Sequence, residues 1–257
     1  MQAHPTFESP HAAAGRMASV ARRLVTDAPT RMFHWLFALS FLGAYLTADG
    51  ERWRMLHVTL GYTMAGLLVF RLLYGLLGPR QSGLGLLWRK LSGAPAWWRP
   101  ASASLKEGAL GEIPWRQGGN LLMALAVIAL MAMVVPLTLT GYATFNDWGD
   151  FLGGDWLGEV HEFVGEAMLF GVLVHVALIA GLSLLRRKNQ ALPMLTGRVP
   201  GNGPDLVKKN RVWLAALLLI AVLSYGAWEW QQSPNGLIPT GAFNGASRDH
   251  YGDDHDD

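Results

Sequence analysis

Charged residues along the chain leave five long gaps: Met32 to Ala48, Met55 to Phe70, Gln117 to Asn146, Ala167 to Leu185 and Val212 to Trp228. Each gap is close to the ~20 residues, range ~17–25, that an α-helix needs to cross a ~30 Å hydrocarbon core. The second is the shortest and reaches spanning length only by including Arg71, a charge within the membrane that needs a partner. Soluble domains bury apolar helices of about 10–14 residues and rarely hold five long ones. The pattern therefore predicts an all-α integral membrane protein: a four-helix transmembrane bundle followed by a fifth, C-terminal transmembrane helix.

The polar stretches between the gaps orient the chain. Arg22, Arg23 and Arg31 precede span 1. Arg80, Arg89, Lys90, Arg99, Lys106 and Arg116 lie between spans 2 and 3, and Arg186, Arg187, Lys188, Arg198, Lys208, Lys209 and Arg211 between spans 4 and 5. Lys and Arg accumulate on the cytoplasmic side. Asp49 to Arg54 is short and mixed, Asp147 to Glu159 carries only acidic charges, and the tail ends in Asp253, Asp254, His255, Asp256 and Asp257. These segments fit the opposite side, so the chain is expected to run with its N-terminus in and its C-terminus out. The long inner segment from Gly78 to Gly118 holds Pro95, Pro100 and Pro114 with Trp88, Trp97, Trp98 and Trp115, and reads as interfacial, its tryptophans at headgroup level. Asn189 to Asp205, rich in Pro and Gly, reads as a linker, which would make span 5 an appendage. The expected divisions are a cytoplasmic tail (1–24), a four-helix core (25–188), a cytoplasmic linker (189–210), the fifth span (211–230) and an outer acidic tail (231–257), mobile for want of apolar residues.

Composition narrows the chemistry. The chain has no cysteine, which excludes thiolate metal sites, iron–sulfur clusters, disulfides and covalently attached c-type haem. The first thirty residues contain Arg16, Arg22 and Arg23 but no apolar core of a signal peptide, so span 1 is expected to act as its own insertion signal.

Of the eight histidines, His4, His11, His250 and His255 lie in polar tails, whereas His34, His57, His161 and His175 lie in or at the ends of spans 1, 2 and 4. His161 and His175 are fourteen residues apart, which on a helix is about 21 Å of rise and roughly 40° short of four turns. They share a face, one near each membrane surface. Span 1 carries His34 at its inner start and span 2 carries His57 at its outer start. Depth pairs His34 with His175 and His57 with His161. Two facing imidazoles in a dry helical bundle suit haem b, whose iron takes axial ligands from opposite faces while its macrocycle fills the space between helices. Zinc would want four converging ligands, and these pairs are separated along the helix axis. An iron with both axial positions filled passes electrons and has no open position for substrate. A histidine at a helix end is also an ordinary interfacial residue, but His175 lies mid-span, where an imidazole without a partner is costly.

Several stretches resemble the bacterial cytochrome b561 and Ni/Fe-hydrogenase b-type cytochrome family. They are Asp27-Ala28-Pro29-Thr30-Arg31-Met32-Phe33-His34-Trp35, His57-Val58-Thr59-Leu60-Gly61-Tyr62, Phe70-Arg71-Leu72-Leu73-Tyr74-Gly75, His161-Glu162-Phe163-Val164-Gly165 and the isolated His175. The resemblance covers roughly residues 25 to 185. It implies four core helices in a bacterial inner membrane, two haem b groups on these four histidines, and electron exchange with quinone. It does not extend to span 5 or the acidic tail.

Arg31, three positions before His34, is expected to face an inner haem propionate or to anchor the helix at the membrane boundary. Arg71, fourteen residues after His57, is expected to meet a propionate or a quinone headgroup. Glu162 and Glu166 would orient a ligand, relay protons, or simply be solvated carboxylates complementing a helix dipole. Gly61, Gly165 and Gly171 would allow close approach of helices or porphyrin, and the methionines read as packing. The expected function is electron transfer across the membrane between quinone and an outer redox partner, a periplasmic c-type cytochrome or a hydrogenase or dehydrogenase subunit steered by the acidic tail. Membrane lipid is the other expected contact, and nucleic acid is not expected. The rival readings are a non-redox membrane anchor or proton-relaying transporter subunit, and a reductase with one open haem.

Overall fold

A computed structural model describes residues 21–79, 83–149, 154, 156–233 and 237. The N-terminal tail with His4 and His11, Arg80, Asp150, Asp155 and almost all of the acidic tail, with His250 and His255, lie outside the described residues. The elements run β1 (Arg22–Leu24), α1 (Ala28–Leu46), α2 (Arg54–Leu77), α3 (Leu84–Ser92), α4 (Ala94–Lys106), α5 (Trp115–Phe145), α6 (Trp156–Arg186), α7 (Leu192–Thr196), β2 (Arg198–Pro200) and α8 (Val212–Gln232).

Among the described residues, four helical segments are long and apolar enough to cross a membrane: Glu51–Leu77, Trp115–Phe145, Trp156–Arg186 and Val212–Gln232. α1 has 19 residues, about 28 Å of helix, but it includes Arg31 and His34 and is not among the four. The expectation of five spans is thus met by four helices on length and composition. The C-terminal helix is one of those four. Outward-facing Leu139, Phe170 and Leu223 are exposed, a surface that water would penalise and hydrocarbon accepts.

α5 pairs with α6 and α1 with α2, and α2 joins the two hairpins through its contacts with α5. Phe41 of α1, Met64 and Leu68 of α2, Val134 of α5 and Met168 of α6 form a buried core at the centre of this four-helix unit. α8 is no appendage. Leu218 buries against Phe33 of α1 and Leu67 of α2, with Met32, Leu36, Phe70 and Val222 around them. The stretch expected as a free linker is likewise stitched to the start of α1. β2 pairs antiparallel with β1, Arg23 opposite Val199. The Asp205 carboxylate accepts from Leu24 N (2.6 Å), and the Asn210 side chain accepts from Ala28 N (2.9 Å). Proline and glycine mark the turns of this segment but say nothing of its partners. The segment between α2 and α5, expected as an interfacial loop, holds two helices, α3 and α4.

α1 starts where it does because Asp27 caps it. Asp27 has extended backbone dihedrals, its carboxylate accepts from Thr30 N (3.3 Å), and Pro29 lies in the first turn, an arrangement that satisfies orphan amides and fixes φ for the helix. Asp27 is fully buried, and its other carboxylate oxygen accepts from the Tyr74 hydroxyl of α2. Arg71, also buried, lies within electrostatic reach of Asp27 and Tyr74. The cap of one helix is therefore the acceptor for the end of the next.

Removing one partner from a buried charged network leaves the other uncompensated and costs roughly 3–5 kcal/mol. Asp27→Ala is expected to lower the detergent-solubilised protein's stability by about that much. Asp205→Ala, at a partly exposed amide contact, should cost about 1 kcal/mol. Unfolding followed by circular dichroism ranks the two, and equal losses would refute the role given to Asp27.

Candidate functional site

The structure keeps the four histidines in the two couples that depth predicts, one at each end of the bundle. At the acidic end of the bundle, His57 near the start of α2 and His161 near the start of α6 face each other with ring centroids 5.9 Å apart and planes at 79°. Each ring is anchored through Nδ1. His57 Nδ1 lies 2.8 Å from the Ala44 carbonyl of α1, and His161 Nδ1 lies 3.0 Å from the Leu137 carbonyl of α5. A carbonyl oxygen only accepts, so Nδ1 of each ring carries the proton and donates it, leaving the Nε2 lone pair free as a ligand. The hydrogen bond that fixes the tautomer also fixes the ring's direction, as in histidines that bind metals.

The local sequence makes room for this. The Thr140 hydroxyl of α5 donates to the carbonyl of Pro136 (2.7 Å) and lies 3.3 Å from His161 Nδ1. Gly141 lies directly against the His161 ring: a Cβ there would approach Cε1 to 2.8 Å and Nδ1 to 3.1 Å. Neither Gly141 nor the two anchoring carbonyls stood out in the sequence, because a glycine's neighbour on another helix leaves no mark in its own helix. Gly165 and Gly171 do serve helix packing, against Leu137 (3.8 Å) and Leu130 (3.0 Å), while Gly61 faces open space.

At the basic end, His34 of α1 and His175 of α6 lie within electrostatic reach of each other. Both Nδ1 atoms are buried without a hydrogen-bond partner, as are Thr30 Oγ1 and Arg31 Nε one turn below His34. Buried polar atoms left unpaired cost free energy, so their concentration on the first turns of α1 marks a place for a polar group. Arg31 lies at this level, its Nη1 donating to the Leu195 carbonyl (3.4 Å), while Trp35 Nε1 donates to the Met194 carbonyl (3.1 Å). Gly197, at φ +77°, lets the α7 turn pass over Arg31, where a Cβ would approach Nε to 3.1 Å. Arg71 lies at the same end of α2 and has Asp27 as a partner within the protein, which the sequence reading missed. The signal was present in Asp-Ala-Pro-Thr, a helix-start pattern. Glu162 and Glu166 are exposed and form no ion pair or side-chain hydrogen bond among the described residues.

The Phe41, Met64, Val134 and Met168 core separates the two couples. Among the described residues there is no cluster of three or more His, Asp or Glu able to enclose a metal ion. Two nitrogens per site, from helices on opposite sides of an apolar interior, fit the axial demand of a haem iron and fall short of the four ligands zinc would need. The chain's donors thus fit a b-type haem.

A family model described as prokaryotic cytochrome b561 matches residues 25–197. No curated protein and no solved structure matches the chain. The family match runs from just before the Asp27 cap, through all four histidines, to Gly197. The chain belongs to the prokaryotic cytochrome b561 family, multi-pass membrane b-type cytochromes of electron transfer.

Proposed function

We propose that the protein is a di-haem b-type cytochrome that moves electrons across the membrane between the quinone pool and a redox partner at the outer face, a periplasmic c-type cytochrome or a redox enzyme subunit. The observation that carries this reading is the pair of imidazole couples, His34 with His175 and His57 with His161, on opposite sides of one apolar core. In the reading, the chain crosses the membrane five times, with the basic end cytoplasmic.

Bound haem b supplies a reversible one-electron iron couple. The protein's residues supply everything else. Ala44 and Leu137 hold the outer rings in the tautomer that ligates through Nε2. His34 and His175 would hold the inner haem, and the buried, unpaired Thr30 Oγ1 and Arg31 Nε would supply polar atoms for its acidic groups. Arg71 at the same end of α2 lies within electrostatic reach of Asp27, which offsets its charge within the protein. Held by two imidazoles each, the haems would offer exogenous ligands no open position. The apolar residues between the couples keep water out, so charge moves as electrons without a hydrated path for ions.

Purified protein should show Soret and α bands of low-spin b haem at two haems per chain, and no carbon monoxide adduct when reduced. Flat spectra would favour the anchor or transporter reading, and carbon monoxide binding would favour the reductase. His175→Ala should remove the inner haem and His57→Ala the outer, each halving haem content with helicity unchanged. Retention of both haems in either variant would refute the pairing. Gly141→Val should displace His161 and lower the content or midpoint potential of the outer haem alone. Redox titration separates the two components.

A further inference from the structure

α3 and α4, with 9 and 13 residues, are about 14 and 20 Å long and too short to cross a bilayer. They join the basic ends of α2 and α5, and α3 packs on both. α4 is pinned by one side. Its Trp97 Nε1 donates to the Pro114 carbonyl (3.2 Å), and its ring lies on Gly118, where a Cβ would come within 2.7 Å. Ala101 and Ser104 continue this face at helical spacing and are buried. The other side is bare: Trp98 is 60% and Leu105 52% exposed, and Trp88 on α3 is 72% exposed. Beside these apolar side chains stand exposed Arg89, Lys90, Arg99 and Lys106. Among the described residues the ion pair is Arg54–Glu51, at the far end of the bundle, and none of these four cations has a carboxylate partner.

Exposed tryptophans interleaved with unpaired cations, on short helices held level with the ends of membrane spans, match an interface in two ways at once. The indole and leucine side chains suit the boundary between headgroups and acyl chains, and the cations suit negatively charged headgroups. Neutral lipid would satisfy the first half alone. Another protein would have to cover a surface that already lies at membrane level. We propose that the α3–α4 face is a binding surface for anionic phospholipid, with Trp88, Trp98 and Leu105 inserted among the acyl chains and Arg89, Lys90, Arg99 and Lys106 holding phosphodiester headgroups. Basic side chains near an anionic surface each strengthen binding several-fold, and salt screens the effect. The surface is independent of the histidine couples and of any haem they hold.

The test uses the full-length protein in neutral detergent, titrated with phosphatidylglycerol or phosphatidylcholine, with retained lipid counted by native mass spectrometry and thermal stability read in parallel. Phosphatidylglycerol should be preferred by at least about tenfold, and added salt should abolish the preference. The combined Arg89→Gln, Lys90→Gln, Arg99→Gln and Lys106→Gln variant should lose the preference with its haem spectrum unchanged. A control neutralising exposed Arg187, Lys188, Lys208 and Lys209, elsewhere at the basic end, should keep it. Equal binding of the two lipids by the native chain, a preference indifferent to salt, or equal loss in the control would overturn the assignment. Should the fourfold variant fail to fold, the native protein's lipid preference and its salt response decide alone.

Discussion

The structure depends on a hydrogen bond from imidazole Nδ1 to a backbone carbonyl on a neighbouring helix. For His57 the acceptor is Ala44 of α1, and for His161 it is Leu137 of α5. Inside an apolar bundle an imidazole whose polar atoms are unoccupied is costly. Spending Nδ1–H on a carbonyl leaves one lone pair, on Nε2. The same bond ties α2 to α1 and α6 to α5, the two closest helix pairs in the fold. What orients these rings therefore also locks the hairpins that carry them.

The basic end is built differently. Its rings have no such anchor, and Nδ1 of both His34 and His175 is buried without a partner, together with polar atoms of Thr30 and Arg31. Rigidity there comes from a buried carboxylate. Asp27 caps α1 and accepts from Tyr74 of α2, while β1, β2 and the Asn210 contact fasten the entry to α8 onto the same place. α8 then covers Phe33 and Leu67, the side of the α1–α2 hairpin turned away from α5 and α6. The helix beyond the family match at residue 197 thus completes the enclosure of α1, which carries Arg31 and His34 within its first turns.

Much of this was legible in the sequence, for reasons specific to each residue. A fourteen-residue spacing on a regular helix fixes both depth and face, so His161 and His175 could be placed from arithmetic alone, and the charge gaps supplied the direction of each helix. The same gaps made α1 look like the others, because Arg31 lay just outside the counted window although it lies inside the helix. Asp27 belongs to the Asp-Ala-Pro-Thr motif, but nothing in the motif marks it as a buried acceptor. Its cap is local and readable, whereas Tyr74 lies 47 residues away. Gly141 and the stitched segment before α8 were invisible for a common reason. Close approach and strand pairing are relations between distant residues, and composition records only that a turn or a small side chain is present.

The central claim is that paired neutral imidazoles, one couple at each end of an apolar core, ligate two haem irons. Electron paramagnetic resonance of the oxidised, purified protein reads it most directly. The account predicts two low-spin ferric species of bis-imidazole character, of which His34→Ala eliminates one and His161→Ala the other. A high-spin signal in the native protein, or a single low-spin species that survives both substitutions, would contradict it.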